Sequence, residues 1–213
     1  MCVNFEINNI TEQKNYRVLA RKYRPNDFNE LIGQDSLVKT FNNSLNKGRL
    51  AHAFLLTGIR GVGKTTTARI IAKALNCVGN ENNTEPTFEI CNNCSPCKSI
   101  NKGNFLDVIE VDAASRTGVD GIREIIDAVM YSPNNARFKV YIIDEVHMLS
   151  NAAFNALLKT LEEPPENVKF IFATTEIKKI PATIISRCQR FDLQRVDIDT
   201  LRSHLSKICE SEN

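Results

Sequence analysis

The 213-residue sequence has little of what marks fibrous, disordered or exported proteins. With only 9 Gly and 7 Pro, and with 42% hydrophobic residues, it is neither collagen-like nor low in complexity nor disordered, and its composition indicates a soluble globular protein. No apolar run approaches the roughly 20 residues of a membrane-spanning helix. The first residues lack the basic and then apolar segments of a secretory signal. The length suits one ordinary domain with an appendage.

The sequence also has little excess of positive over negative charge, with 27 Lys and Arg against 25 Asp and Glu. The net charge of +2 is too small to indicate nucleic-acid binding by itself. Seven cysteines in a sequence without an export signal favour a metal site or reduced thiols over disulfides.

Short apolar runs alternate with helical patterns along the chain. The runs predict buried parallel strands, because both faces of such strands are covered. They are residues 53–57, 106–111, 139–143 and 169–174. Apolar residues at i, i+3, i+4 and i+7 predict helices around residues 37–45, 68–75, 122–129 and 154–161. This alternation gives right-handed βαβ units and a parallel sheet with helices on both faces, an α/β fold.

Two segments depart from the alternation. Residues 1–15 show no period, and we expect them to be disordered. Residues 77–104 are rich in Asn, Cys and Gly and have little apolar pattern, which predicts an insertion between a helix and the next strand. The ends of one helix have clear signals: Ser150 can cap the helix predicted around residues 154–161, and Pro164 and Pro165 end it. A further short helix is expected near Pro181.

A phosphate-binding loop is the strongest motif. The segment from Gly58 to Thr65 fits G-x-x-x-x-G-K-[ST] in full, with an apolar strand before it and an amphipathic helix after it. Its backbone N–H groups would hold a phosphate chain, Lys64 would reach the β- and γ-phosphates, and Thr65 would bind Mg²⁺. The alternative is a glycine-rich turn that binds nothing. The expected nucleotide-binding residues are Gly58, Ile59, Arg60, Gly61, Val62, Gly63, Lys64, Thr65 and Thr66.

An acidic pair follows the run at 139–143. We expect this strand to lie next to the phosphate-loop strand and to bring Asp144 to the metal, with Glu145 placed to orient and deprotonate the attacking water. The alternative is a strand that ends in surface acids.

Thr174 and Thr175 end the next apolar run, where a hydroxyl could sense the γ-phosphate or fix the water, although threonine is common at strand ends.

Four cysteines form the pattern C-x13-C-x2-C-x2-C. Cys77, Cys91, Cys94 and Cys97 suit a tetrahedral, structural Zn²⁺ site, which would order a segment that has no apolar core. An iron–sulfur cluster and unliganded cysteines are the alternatives. The remaining cysteines are Cys2, Cys188 and Cys209, and we expect Cys188 to be a small buried residue.

One arginine and the histidines give weaker signals. Arg187 stands in Ser-Arg-Cys after the short helix, and by itself it could be a surface cation. His52, His147 and His204 are scattered, and each is more typical of a packing residue than of a ligand.

Taken together, the motifs resemble the gamma/tau subunits of the bacterial DNA polymerase III clamp loader, which belong to the AAA+ class. The resemblance covers roughly residues 16–195, with the motifs in the family's order. The cysteine insertion and Ser-Arg-Cys together are specific to clamp-loader ATPases within that class. The motifs lie at residues 18–25, 32–34, 58–65, 77–97, 112–117, 143–147, 157–165, 173–175 and 186–188.

The resemblance implies an AAA+ ATPase domain over residues 16–195, with a zinc module at 77–104. Residues 196–213 would begin a truncated lid or C-terminal extension, so that the family's lid and collar domains would be missing. The implied activity is ATP-driven opening of the sliding clamp and its placement on primed DNA, with ATP, Mg²⁺ and Zn²⁺ as cofactors and without polymerase chemistry. The implied partners are the other clamp-loader subunits, the clamp and primed DNA in the cytoplasm, and also the polymerase and helicase where a tau tail exists, with no membrane.

The resemblance also assigns roles to single residues. Arg187 becomes an arginine finger that acts on a neighbouring subunit's ATP, and Thr175, with Thr174 beside it, becomes the sensor 1 region. The residues that would line the adenine and ribose are Val18, Arg21, Tyr23, Arg24, Pro25, Ile32 and Gly33.

Two other function classes compete with a clamp-loader ATPase. Asp144-Glu-Val-His147 matches the D-E-x-H box of helicases, but 213 residues leave no room for a second motor domain. A remnant that acts only as a zinc-stabilised binding module is opposed by the intact Lys64, Thr65, Asp144 and Glu145. Without a lid, we expect the chain alone to bind ATP weakly and to hydrolyse little.

Overall fold

The computed structural model describes residues 18–79, 83–115 and 119–212. The prediction of disorder for residues 1–15 lies outside these ranges. The helices are α1 Leu19–Lys22, α2 Asp35–Asn46, α3 Lys64–Asn76, α4 Ser95–Lys102, α5 Val119–Val129, α6 Asn151–Glu162, α7 Ala182–Ile185 and α8 Ile198–Glu212. The strands are β1 Ala53–Thr57, β2 Val108–Asp112, β3 Lys139–Asp144, β4 Val168–Thr174 and β5 Gln189–Asp192, and short 3-10 turns occupy Val146–Met148 and Ile177–Lys179.

The strands form one five-stranded parallel sheet in the order β2-β3-β4-β1-β5. The four apolar runs are confirmed as strands, although β2 begins at Val108 rather than at residue 106. β5 was not predicted, because Gln189-Arg-Phe-Asp192 carries a single apolar side chain and lies at the sheet edge beside β1. The expectation that β3 neighbours β1 is wrong, since β4 lies between them.

Helices cover both faces of the sheet. Successive strand side chains point to opposite faces, so Phe54 and Leu56 of β1 join the core formed with α2 and α3. Leu55 of the same strand joins the core formed with α5 and α6. All five residues of β1 are buried, as expected for a central strand.

The predicted helices are present, and their end signals are confirmed. Ser150 accepts a hydrogen bond from the N–H of Ala153 at the start of α6, which ends at Glu162, before Pro164. Pro181 precedes α7. Among the residues that the structure describes, no helix combines the length and apolar character that a membrane span requires.

The segment 77–104 contains a helix that the sequence did not predict. In α4, Cys97 and Ile100 are buried in the same core as α3. Before this helix, the ring of Phe88 stacks on Phe28 with ring centroids 4.8 Å apart, and the N–H of Thr87 donates to the carbonyl of Ala74 in α3. The insertion therefore packs against the main domain rather than standing apart from it.

The loop before β2 is fixed by one buried carboxylate. Asp107 accepts backbone N–H bonds from Asn134, Asn135 and Ala136, at 2.8–2.9 Å. Burial raises the pKa of this carboxyl, but the N–H donors outweigh burial and hold the pKa below its ordinary value. These bonds tie the residue before β2 to the loop that precedes β3.

Replacing Asp107 with Asn should lower the free energy of unfolding at pH 7 by about 1.5–3 kcal/mol, because bonds to a charged acceptor are lost. A carboxyl whose pKa is lowered in the folded state contributes its full stability at pH values above its unfolded-state pKa. The difference in unfolding free energy between parent and variant should therefore shrink as the pH falls through the folded-state pKa of Asp107. Urea unfolding across pH 2–7 measures both effects. Asp127→Asn, on the exposed side of α5, is the control, and equal effects of the two changes would contradict this account.

Candidate nucleotide site and metal centre

The predicted phosphate loop connects the end of β1 to the start of α3, at the carboxyl edge of the sheet. Gly58 has a φ of 148°, and a Cβ there would lie 3.0 Å from the carbonyl oxygen of Leu193. Gly63, the residue before α3, has a φ of 101°. Glycine alone adopts such conformations without strain. The loop thereby presents the N–H groups at the start of α3, where the helix dipole favours an anion.

The side chain of Lys64 lies over this loop. Its Nζ donates to the carbonyls of Gly58 at 3.0 Å and Ile59 at 3.1 Å, and the residue is buried. Burial lowers the pKa of Lys64, an effect that nearby Glu145 and Asp144 oppose. The ammonium is therefore held beside the helix start, where it can meet the oxygens of a phosphate chain.

Thr65 meets the acid at the end of β3. Its Oγ1 donates to Oδ2 of Asp144 at 2.5 Å. This contact forms although β3 is not the neighbour of β1, because α3 packs across β3 and β4 as well as β1. A hydroxyl and a carboxylate in contact beside a phosphate loop are suitable oxygen ligands for Mg²⁺.

Glu145 is held by the end of the neighbouring strand. Its φ of 47° is in the left-handed region, which is uncommon for a residue other than glycine. Its N–H donates to Oδ1 of Asp144 at 2.9 Å, and its Oε2 accepts from Oγ1 of Thr175 at 3.1 Å. Thr175, predicted as the sensor, thus contacts the predicted base directly.

His147 joins this group of residues, a position that the sequence did not predict. Its imidazole is buried as a packing residue would be, but Nδ1 also lies 3.1 Å from Oγ1 of Thr174 and 3.3 Å from Oε2 of Glu145. Its Nε2 lies 3.4 Å from Oε1 of Glu176. The only sequence signal was its position, two residues after Glu145.

Arg187 binds residues of its own α6 and α7. Its Nη2 donates to Oε1 of Glu162 at 2.6 Å, and its Nη1 donates to the carbonyl of Thr183 at 2.7 Å. The ion pair is partly exposed, and such pairs contribute only about 0–1 kcal/mol. The guanidinium could therefore leave Glu162 for a stronger anion without a large cost.

A cavity of about 460 Å³ lies beside the segment expected to hold the adenine and ribose. Tyr23, Arg24, Pro25 and Ile32 line it. Of the other predicted residues, Arg21 lines neighbouring cavities, Gly33 packs against Val196, and Val18 is exposed. The sequence did not predict that α8 would form the other wall, with Thr200, Ser203, His204 and Lys207.

The four predicted cysteines come together at the end of α3. The Sγ atoms of Cys77, Cys91, Cys94 and Cys97 all lie within 4.8 Å of one another. Thiolates 2.3 Å from a tetrahedral zinc would lie about 3.8 Å apart, close to the 3.5 Å between Cys77 and Cys91 and the 4.0 Å between Cys94 and Cys77. The donor set fits Zn²⁺.

Backbone groups also favour thiolates at this cluster. The N–H of Cys91 donates to Sγ of Cys77, and the N–H of Cys94 donates to Sγ of Cys91. Burial raises the pKa of Cys97 and Cys77. Burial also acts to raise the pKa of Cys91, but N–H donors outweigh it and lower that pKa to about 6. Outside the cluster, Cys188 was expected to be buried but is only partly buried; it packs against the second core, and burial raises its pKa to about 12.

Comparison with known proteins places these features in one family. The family model described as "DNA polymerase III, delta subunit" matches residues 33–197. A DNA polymerase III subunit gamma from Buchnera aphidicola subsp. Acyrthosiphon pisum is 54% identical over 199 residues, which are 93% of this chain and 54% of that protein. A subunit tau/gamma from Haemophilus influenzae is 53% identical over 198 residues, which are 93% of this chain and 28% of that protein. The chain thus spans about half or less of these relatives.

Solved structures show the same fold. A DNA polymerase III gamma subunit-related protein from Thermotoga maritima has a TM-score of 0.52 and 23% identity, covering 78% of this chain and 47% of its own. The RuvB Holliday junction branch migration motor from the same species has a TM-score of 0.54 and 22% identity, covering 81% and 48%. The fold is that of an AAA+ P-loop ATPase domain.

Changing Cys94 to Ser should remove the metal. We expect about one zinc per chain in the parent protein and close to none in the variant, with a lower Tm, because binding of a structural metal contributes folding free energy. Elemental analysis and thermal unfolding measure both. Cys209→Ser, at an exposed cysteine, should change neither, whereas visible absorbance of an iron–sulfur cluster would contradict the zinc assignment.

Proposed function

Because the chain belongs to this family of DNA polymerase III subunits, we propose that it is an ATP-binding and ATP-hydrolysing clamp-loader subunit, which helps to open the sliding clamp and place it on primed DNA. The observation that carries the proposal is the contact between Thr65 and Asp144 at the phosphate loop. It joins the predicted magnesium ligands where the strand ends meet the first turn of α3. The similarity to gamma and tau subunits over 93% of the chain supports the clamp-loader role.

In this proposal the loop residues bind the triphosphate of ATP. The N–H groups from Gly61 to Thr66 bind phosphate oxygens, and Lys64 exchanges its carbonyl partners for the β- and γ-phosphates. Thr65 and Asp144 would hold Mg²⁺, and a bound ion would supply positive charge beside the phosphates. The base and ribose enter the cavity that Tyr23 and Ile32 line.

Hydrolysis is assigned to the residues at the ends of β3 and β4. Glu145 orients the attacking water and accepts its proton, and Thr175 sets the direction of that carboxylate through their hydrogen bond. Since Thr174 and Thr175 are consecutive, a shift of this strand end on nucleotide binding would move Glu145 and His147 together.

The arginine finger acts between subunits. Arg187 binds Glu162 and Thr183 in its own chain, and its partly exposed guanidinium supports a role towards a neighbouring chain. The proposed partners are the other clamp-loader subunits, the clamp and primed DNA. Contacts with the polymerase and the helicase are proposed only where a tau tail exists. The proposed location is the cytoplasm, where replication takes place.

The domain organisation remains a proposal of the same kind. Residues 16–195 would form the ATPase domain, 77–104 its zinc module, and 196–213 the beginning of a lid or extension. The contacts of Lys22 and Tyr23 with Glu212 support a place for α8 against the nucleotide cavity. A helicase fragment is the weaker candidate, since family and fold favour a polymerase III subunit.

Replacing Lys64 with Ala should abolish ATP binding while the fold is kept, because the main cation for the β- and γ-phosphates is removed. Isothermal titration with ATP and Mg²⁺ measures the change, and Lys47→Ala, at an exposed position after α2, should bind like the parent. Unchanged affinity of the Lys64 variant would contradict the proposed site. Unwinding of a tailed duplex by the parent would favour the helicase instead.

Replacing Arg187 with Ala should leave ATP binding within about twofold but lower turnover in the reconstituted clamp loader by about 10³–10⁵-fold, the usual contribution of an arginine finger. Steady-state hydrolysis with clamp and primed DNA gives the rate. Arg49→Ala, at an exposed position, is the control. Full turnover by the Arg187 variant would show that this arginine is a surface cation.

A further inference from the structure

Lys73 of α3 is buried, and no acid in the described part of the chain is hydrogen-bonded to it. It is 1% exposed, and lysine is almost never so buried unless it is paired. Its Nζ donates to the carbonyl oxygen of Asn26 and to Oδ1 of Asn92, the latter at 3.1 Å. Both acceptors are neutral, so these bonds alone leave a buried positive charge uncompensated.

The cysteine cluster lies next to Lys73. Cys77 follows Lys73 by four residues, which places both on the same side of the helical turn. Asn92, which accepts from Lys73, lies between Cys91 and Cys94 in sequence and has a left-handed φ of 55°. Burial lowers the pKa of Lys73, and the nearby groups Cys97, Asp27, Glu30 and Cys77 oppose this effect.

A zinc centre at these cysteines would be anionic. Four thiolates and one Zn²⁺ carry a net charge of −2, and a buried charge of that size needs compensation. Arg137 supplies a second cation near the cluster. It donates from Nη1 to the carbonyl of Leu75 at 2.6 Å and interacts with the charge of Cys77. Lys73 and Arg137 together carry +2.

Lys73 also contacts the segment that forms the nucleotide cavity. Asn26, whose carbonyl accepts from Lys73, lines the 460 Å³ cavity together with Tyr23 and Pro25. Lys73 and Asn26 further share a smaller cavity with Thr66 of the phosphate-loop helix. One ammonium therefore contacts the cysteine loop at Asn92 and the cavity wall at Asn26.

We propose that Lys73 is a positioning residue that neutralises the zinc–thiolate centre and couples its occupancy to the nucleotide cavity. The inference rests on the proposed zinc and nucleotide sites. With zinc bound, the anionic centre holds the ammonium and, through it, the backbone of Asn26. Without zinc, the loop that carries Asn92 is no longer tied to Cys77 and Cys97 through a metal ion, so Lys73 holds Asn26 less firmly. The coupling is reciprocal, so bound nucleotide raises the affinity for zinc by the same factor.

The first test measures zinc release to a colorimetric chelator at constant pH. Lys73→Met, which keeps the length but removes the charge, should release zinc at least tenfold faster than the parent, and Lys73→Arg should restore slow release. Lys98→Met, at an exposed position of α4, should behave like the parent. Parental release by a folded Lys73→Met protein, or failure of Lys73→Arg to restore slow release, would overturn the assignment.

The second test needs no Lys73 variant, so it remains decisive if Lys73→Met does not fold. The affinity of the parent for a fluorescent ATP analogue with Mg²⁺ is compared before and after zinc removal, and it should fall at least fivefold without zinc and return when zinc is restored. Equal affinities would overturn the coupling. If the zinc-loaded parent binds no analogue at all, the proposed function fails, while the zinc-release result still decides whether Lys73 supports the metal centre.

Discussion

The site depends on a constraint of parallel sheets, namely that the carboxyl ends of their strands meet at one edge. At that edge the hydrogen bond from Thr65 to Asp144 joins the first turn of α3 to the end of β3. The end of β4 adds Thr175 to the same group through Glu145. Residues that are far apart in sequence thus form one cluster, because Asp144, Glu145 and Thr175 stand where buried strands stop and Thr65 lies in the helix turn that faces them.

Helix α3 connects this edge to the cysteine cluster. It begins at Lys64 and is followed directly by Cys77, so the phosphate loop and the first cysteine of the cluster stand at the two ends of one buried helix. Lys73 lies within its last turns and contacts both the insertion and the cavity wall. A single residue therefore joins the loop of the cysteine cluster to the wall of the cavity lined by Tyr23 and Asn26.

Much of this could be predicted from the sequence, because the strongest signals are local. The phosphate loop, the acidic pair and the cysteine spacing each occupy a few consecutive residues whose chemistry is specific. Features that depend on tertiary contact were not predicted. β5 is a strand because it pairs with β1, and α4 is a helix whose apolar residues acquire a partner only when α3 is present. The burial of Lys73 could not be foreseen either, since lysine is normally exposed.

The most direct measurement of the central claim is a crystal structure of the zinc-loaded protein with Mg²⁺ and a slowly hydrolysed ATP analogue. The account predicts the triphosphate against the N–H groups of residues 61–66 and an ion coordinated by Thr65 and Asp144, with Lys64 turned from the carbonyls of Gly58 and Ile59 to the phosphates. Lys64 still on those carbonyls at saturating analogue, with no density over the loop, would contradict it.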